Sequence, residues 1–222
     1  MNNHNSYSIK EAFYTLQGEG AQSGRAAVFC RFSGCNLWSG RHEDRKNAIC
    51  QFCDTDFVGT DGLNGGKYTA ERLSQLIQDI WLQHTHNDTG KPYVVFTGGE
   101  PLLQLDDTLI NQCKKLGFEI AIESNGTCPV PVGVDWVCIS PKAGTDLVVF
   151  RGDELKLVYP QSDALPELYA DLDFKHFFLQ PKAPLNDDAD IAAPHTKEAL
   201  EYCLAHPQWR LSLQTHKLLD IP

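Results

Sequence analysis

The chain has no long apolar run. None of its stretches approaches the roughly 18–20 residues of a membrane-spanning helix, so no span is expected. It is also short of positive charge, with 19 Lys and Arg against 29 Asp and Glu and a formal net charge of −10. An acidic chain lacks the basic footprint of nucleic-acid and anionic-membrane binders, and neither partner is expected. The opening stretch, Met1 to Ser8, is polar without an apolar centre and does not read as a signal peptide. Cytoplasmic residence is the expectation, and there the eight cysteines stay reduced. No internal repeat or low-complexity linker divides the chain, so residues 1–222 are expected to form a single domain. Two chemical signatures are missing as well. No G-x-G-x-x-G follows the first strand, which argues against a doubly wound dinucleotide fold. No H-E-x-x-H or similar carboxylate–histidine spacing is present, which argues against a metal-dependent hydrolase.

What is there is a regular α/β pattern. Hydrophobic residues make up 42%, enough for a substantial core. Ile9 to Leu16 reads as an extended opening segment and Ala26 to Phe32 as a compact strand with Arg31 near its end. Asp54 to Lys67 is rich in Gly, Asp and Asn and reads as a loop. Thr69 opens a helix with Leu73, Leu76, Ile77, Ile80 and Trp81 at helical spacing. Leu105 to Leu116 is a second helix, with Gly117 as its stop. Leu165, Leu168, Tyr169 and Leu172 predict a third, and Lys197 to Leu204 a fourth. Strands are expected at Tyr93–Phe96, Phe118–Ile122, Trp136–Ile139, Asp153–Val158, His176–Leu179 and Trp209–Leu213. Apolar strands separated by helices imply a parallel sheet buried on both faces. The expected architecture is an open, partial parallel βα barrel of about six strands with reduced helix content.

Polar residues collect at the strand ends: Cys35, Gly98-Gly99-Glu100, Glu123, Ser140, Lys142 and Gln180. Ligand sites in parallel α/β folds form at those ends. Cys35, Cys50 and Cys53 lie within nineteen positions, the last two as a C-x-x-C pair. A closed structural zinc site wants four ligands, whereas three thiolates on an iron–sulfur cluster leave one iron open. In Thr97-Gly98-Gly99-Glu100-Pro101, the glycines permit close backbone approach and the Glu100 carboxylate can pair with a ligand ammonium group. The charged run from Arg41 to Lys46 reads as a solvated face.

These motifs together resemble the radical S-adenosylmethionine enzymes. Fourteen residues separate Cys35 from Cys50, a departure from the usual C-x3-C-x2-C that is found in members of the 7-carboxy-7-deazaguanine synthase family. The resemblance extends from Phe13-Tyr14-Thr15-Leu16-Gln17-Gly18-Glu19-Gly20 through Phe52-Cys53-Asp54-Thr55-Asp56 and Ser140-Pro141-Lys142 to Gln214-Thr215-His216-Lys217. It implies a [4Fe-4S] cluster on Cys35, Cys50 and Cys53, with Mg2+ held by the Thr55 hydroxyl. It implies an S-adenosylmethionine site at Gly99, Glu100, Glu123, Ser140, Pro141, Lys142 and Gln180. Lys142 has the weakest case from the residues alone, since a strand-end lysine is usually solvated.

The substrate so implied is 6-carboxy-5,6,7,8-tetrahydropterin, met by Leu16, Gln17, Gly18, Glu19, Arg31, Thr97, His216 and Pro222. Gln17 and Glu19 offer amide and carboxylate edges to an amino-pyrimidinone, and Arg31 a fork for a carboxylate or a salt bridge at the rim. Leu218, Leu219 and Ile221 are apolar, as in a docked tail. The implied reaction is a lyase step on the route to queuosine. A 5′-deoxyadenosyl radical takes hydrogen from C6, the ring contracts, and ammonia leaves. No side-chain acid or base can be chosen from the sequence. The resemblance also implies a homodimer and an electron donor such as flavodoxin or ferredoxin. Alternatives are another radical enzyme, such as a glycyl-radical activase, and a zinc-stabilised module using Cys35, Cys50, Cys53 and His42.

Overall fold

The computed structural model describes residues 6–86, 90–184 and 189–222, with side chains in the last segment described from residue 193 onward. The Met1–Ser8 segment lies partly outside these residues. Among the described residues no helix is long and apolar enough to cross a membrane.

Nine strands form one sheet in the order β3-β1-β2-β4-β5-β6-β7-β8-β9. β2 (Ala26–Phe32), β4 (Tyr93–Gly98), β5 (Glu119–Ser124), β6 (Trp136–Ile139), β7 (Arg151–Tyr159), β8 (Asp173–Pro181) and β9 (Trp209–Leu211) run parallel. β1 (Tyr7–Leu16) and β3 (Gly66–Tyr68) are added antiparallel at one edge. The parallel set thus holds the seven strands expected at Ala26–Phe32 and the six segments after it, within the expected count of about six. β3 falls at the end of the segment read as loop, because three residues are too few to show alternation.

The sheet is open, and its two sides curl towards each other. Gln180 on β8 donates to Glu19, just after β1, at 3.0 Å. The Gly20 amide donates to Ser212, just after β9, at 2.9 Å. Such contacts between opposite sides of a nine-stranded sheet require strong curvature, the direction in which right-handed strand twist accumulates. The concave side forms a lumen.

Helices cover the convex side. α1 (Ala70–His84) begins where Thr69 accepts a hydrogen bond from the Arg72 amide, and it buries Leu73, Ile77, Ile80 and Trp81. α2 (Asp107–Lys115) is capped by Asp106, which accepts from the Thr108 and Leu109 amides. Gly117 follows with φ +85°, the left-handed conformation of a helix stop. These helices and the first strands enclose one apolar core, and β6 to β9 with α3 (Ala189–Ala205) enclose a second.

α3 is longer than expected, with Pro194 inside it. The expected third helix is only a 3-10 turn at Pro166–Leu168. Leu165 and Leu168 are exposed there, so no buried face supports further turns. The tail forms a short helix, α4 (Thr215–Leu219), too brief to leave a periodic signature.

Candidate active site

A cavity of about 410 Å³ occupies the lumen and its mouth. Its floor comes from the turn after β1 and from β7. Along β7, side chains alternate: Leu155 and Leu157 enter the outer core, while Glu154 and Lys156 point to the lumen side. The Lys156 ammonium is buried and lies 2.6 Å from Glu19 and 2.7 Å from Glu123. Gln17 donates to the other oxygen of Glu123 at 2.9 Å. Gln180 and Gln214 both donate to the other oxygen of Glu19 at 3.0 Å.

Burial alone would push the Glu19 carboxyl up. The Lys156 charge and hydrogen bond, with Gln214 and His216, outweigh it and hold it at about 2. Burial disfavours the Lys156 cation, yet its carboxylate partners keep it charged far above neutrality. Glu154 is shifted the other way, because burial raises its carboxyl despite Lys156 nearby.

The opposite wall is the segment after β2, which has little regular structure. It is held by side chains instead. Trp38 is buried edge-on against Phe57 at 5.5 Å. The Arg45 guanidinium lies 4.0 Å from the centre of the Trp38 ring and donates to the Gln51 and Cys53 carbonyls at 3.0 and 2.9 Å. The Glu100 amide donates to the Gly34 carbonyl at 3.0 Å. Gly99 runs so close that a Cβ there would sit 2.2 Å from the Gly34 oxygen and 2.7 Å from the Cys35 Cβ. Glycine is therefore required for this approach.

Cys50 and Cys53 line the cavity, while Cys35 lies behind Gly99 beside a shallow outer recess. All three are free thiols. Burial pushes the Cys35 and Cys53 thiols up. The half-buried Lys142 lies near Cys50 and Cys53, and its ammonium donates to the Ser140 carbonyl and hydroxyl at 2.6 Å each. Burial pulls its proton affinity down.

The radical SAM superfamily profile matches residues 46–158. The chain is 60% identical to the 7-carboxy-7-deazaguanine synthase of Bordetella pertussis, over 97% of this chain and 99% of that one. It is 58% identical to the synthase of Caulobacter vibrioides, again over 97% and 99%. This chain belongs to the 7-carboxy-7-deazaguanine synthase family. The crystal structure of QueE from Escherichia coli has the same fold, with TM-score 0.66 and 29% identity over 95% of this chain and 94% of that one.

Most of the residues that the synthase resemblance singled out meet in the one cavity. Leu16, Gln17, Gly18, Glu19, Arg31, Thr55, Thr97, Gly99, Glu123, Ser140, Lys142, Gln180, His216 and Pro222 all border it. Glu100 does not. Its side chain is fully buried and accepts from the Leu102 amide, the Ser124 hydroxyl and the Asn125 amide at 2.8 to 2.9 Å. That carboxylate shapes the strand end from behind and does not face a ligand ammonium. Pro141 is also buried outside the lining.

Two more expectations are corrected, at Arg45 and at the tail, and two residues with open readings are placed, Lys142 and Arg31. Lys142 is half-buried and borders the lumen, with its ammonium held on Ser140. Arg45, in the charged run, anchors the cysteine segment through Trp38. Arg31 pairs with Glu11 at 2.8 Å on the cavity wall, so the salt bridge and the cavity position coexist. The tail docks by polar contacts: Thr15 donates to the Pro222 carbonyl at 2.8 Å, and Lys217 pairs with Asp54 at 2.7 Å. Leu218 and Leu219 are exposed.

Sequence reasoning missed Lys156. The signal was available, since charged residues at 154 and 156 alternate with Leu155 and Leu157 inside a strand. The zinc-module reading finds no support: the chain belongs to the synthase family, and His42, its fourth ligand, is exposed.

Proposed function

We propose that the chain converts 6-carboxy-5,6,7,8-tetrahydropterin to 7-carboxy-7-deazaguanine with loss of ammonia. The observation that carries this reading is one cavity with thiols on one wall and the Gln17–Glu19 segment on its floor, in a chain of this family. The residues fit the expected [4Fe-4S] cluster. Three free thiols on one segment are soft ligands, and the cleared backbone at Gly99 lets the strand end approach them. Cys35, Cys50 and Cys53 would hold it. S-adenosylmethionine would lie along Gly99, Glu123, Ser140, Lys142 and Gln180. When bound, the cluster and S-adenosylmethionine supply the one-electron chemistry that generates a carbon radical.

The chain's own residues bind, orient and exclude water. Gln17 and Glu19 would meet the amino-pyrimidinone edge. Arg31 and Pro222 would border the rest of the substrate, with Thr97 and His216. Thr55 is proposed as a Mg2+ ligand. Its hydroxyl has no hydrogen-bond partner within the described chain, and hard oxygen suits Mg2+. Asp54 and Asp56 beside it are already paired with Lys217 and Lys10.

The single-domain reading of residues 1–222 is supported by the continuous nine-stranded sheet. Cytoplasmic residence, the homodimer and a flavodoxin- or ferredoxin-type donor rest on the resemblance and the composition.

The test is anaerobic purification with an absorbance spectrum and an iron count, then incubation with S-adenosylmethionine and the tetrahydropterin. An iron–sulfur spectrum and formation of 7-carboxy-7-deazaguanine are expected. Zinc in place of iron would sink the reading. Production of 5′-deoxyadenosine without a deazaguanine would remove the substrate assignment and keep the superfamily. Thr55→Ala should lose stimulation by Mg2+ while keeping its iron.

A further inference from the structure

The lumen floor holds a charged group that the reaction as described does not use. Lys156 is among the most enclosed side chains in the molecule, with 3% of its side chain exposed. A lone ammonium in that position is costly unless it is paired and hydrogen-bonded. It is paired twice, and its partners come from different elements. Glu19 sits on the turn after β1, at 2.6 Å, and Glu123 on β5, at 2.7 Å. The two carboxylates belong to different halves of the site: Glu19 to the proposed substrate segment and Glu123 to the proposed S-adenosylmethionine wall.

We propose that Lys156 is a positioning residue that ties the substrate-facing Glu19 to the cofactor-facing Glu123, so that one buried cation sets the geometry of both subsites. The proposal rests on the subsite assignment given above.

The remaining oxygens leave little freedom. One Glu19 oxygen takes Lys156, and the other takes Gln180 and Gln214. One Glu123 oxygen takes Lys156 and, at 3.7 Å, the Cys138 thiol; the other takes Gln17. Gln17 also accepts from the Glu19 amide at 3.1 Å, closing a ring from Glu19 through Lys156 and Glu123 back to Glu19. Both carboxylates are thereby fixed before any ligand arrives, which is the preorganisation an oriented reaction needs.

The other charged or titratable groups around this ring do not replace Lys156. Glu154, on the same strand, adds a carboxyl, and it is occupied by the Ala21 amide and the Cys138 thiol. Lys142 serves Ser140. His216 on α4 lies against Gly18, and burial lowers its affinity for a proton. Removing the Lys156 charge thus leaves Glu19 and Glu123 without a cation of their own. With the dominant influence that holds Glu19 down gone, its proton affinity rises.

The experiment compares wild type, Lys156→Met and Lys156→Arg as anaerobically loaded proteins matched for iron content. In Lys156→Met, KM for the tetrahydropterin is expected to rise by at least about tenfold at neutral pH and to recover as pH rises and Glu19 ionises. Equilibrium affinity for S-adenosylmethionine should weaken in parallel. Lys156→Arg, which keeps the charge, should keep the wild-type pH profile. A Met variant with full iron, wild-type KM and an unchanged profile would overturn the proposal.

Infrared titration of protein labelled with 13C-glutamate, assigned with Glu19→Gln and Glu154→Gln, gives a readout without turnover. Glu19 should stay ionised through the mildly acidic range in wild type. A Glu19 carboxyl band near neutral pH in wild type would overturn the proposal even if the Met variant fails to fold. Should wild type make no 7-carboxy-7-deazaguanine, the substrate assignment falls, and the titration still decides whether Lys156 holds Glu19.

Discussion

The two walls of the cavity are built on opposite plans. The floor rests on strands and the turn after β1 and is closed: Glu19, Lys156, Glu123, Gln17 and Gln180 satisfy one another inside the curled sheet. The cysteine wall is a segment of loops and one 3-10 turn (His42–Asn47), held by Trp38, Arg45 and the Gly34–Glu100 contact. On the floor, polar groups already have their partners, so a ligand meets a fixed pattern of charge. On the wall, the thiols meet local backbone, with the Leu37 amide donating to the Cys35 sulfur at 3.4 Å and the Cys53 thiol to the Thr55 carbonyl at 3.9 Å. One end of the site is preorganised for recognition, while the other is equipped for a group that completes it.

The largest expected effect is at Glu100, whose carboxylate holds the ends of β4 and β5 together behind the wall. Glu100→Ala removes an acceptor from three buried or part-buried donors and should destabilise the fold by roughly 2–4 kcal/mol, read as a fall in urea midpoint. If the loss is below about 0.5 kcal/mol, the carboxylate is not the anchor described.

A second effect comes from acid and bears on the floor. Glu19 is held below its unfolded value, so its contribution to stability is fully present above the usual glutamate value. It is lost as pH falls towards about 2. Glu154, raised by burial, works in the opposite sense and loses its contribution as pH rises through the range between its unfolded and folded values. Stability between about pH 2 and 5 in wild type and Glu19→Gln checks the sign: the acid-side slope should be shallower in the variant.

Smaller again is the tail. Appending residues after Pro222 should raise KM for the tetrahydropterin a few-fold, about 1 kcal/mol in transition-state terms, with kcat largely kept. An unchanged KM in the extended protein removes Pro222 from the substrate site. The smallest effect is expected at the latch between tail and cysteine wall. Lys217 and Asp54 are partly exposed, so Asp54→Asn should cost less than about 1 kcal/mol of stability. A larger loss would mean that the wall depends on the tail for its order.

Much of the fold was legible because its signals are local. α1 shows its cap at Thr69 and its apolar stripe within a few turns, and β6 is an apolar run whose limits coincide with the expectation. The helix expected near Leu165 failed for the same locality: four apolar residues at helical spacing say nothing about whether a surface exists to bury them. Gly99 was read as a place where backbone approaches a ligand, and the approach the structure shows is to Gly34 and Cys35 of the chain itself. Glu100, its neighbour, was misread, because the direction of a side chain at a strand end depends on what lies behind it.

The sequence by itself determined the thiol spacing, the glycine pair, the order of strands and helices and the acidic balance, all set by neighbours along the chain. The tertiary structure alone decided which charges share the lumen. Lys156 meets a carboxylate 137 residues away and another 33 residues away, and Arg45 serves the cysteine wall rather than solvent. The physical reason is curvature. Only when the sheet bends far enough to bring β1 and β8 together do these groups leave water, and burial then forces them to pair.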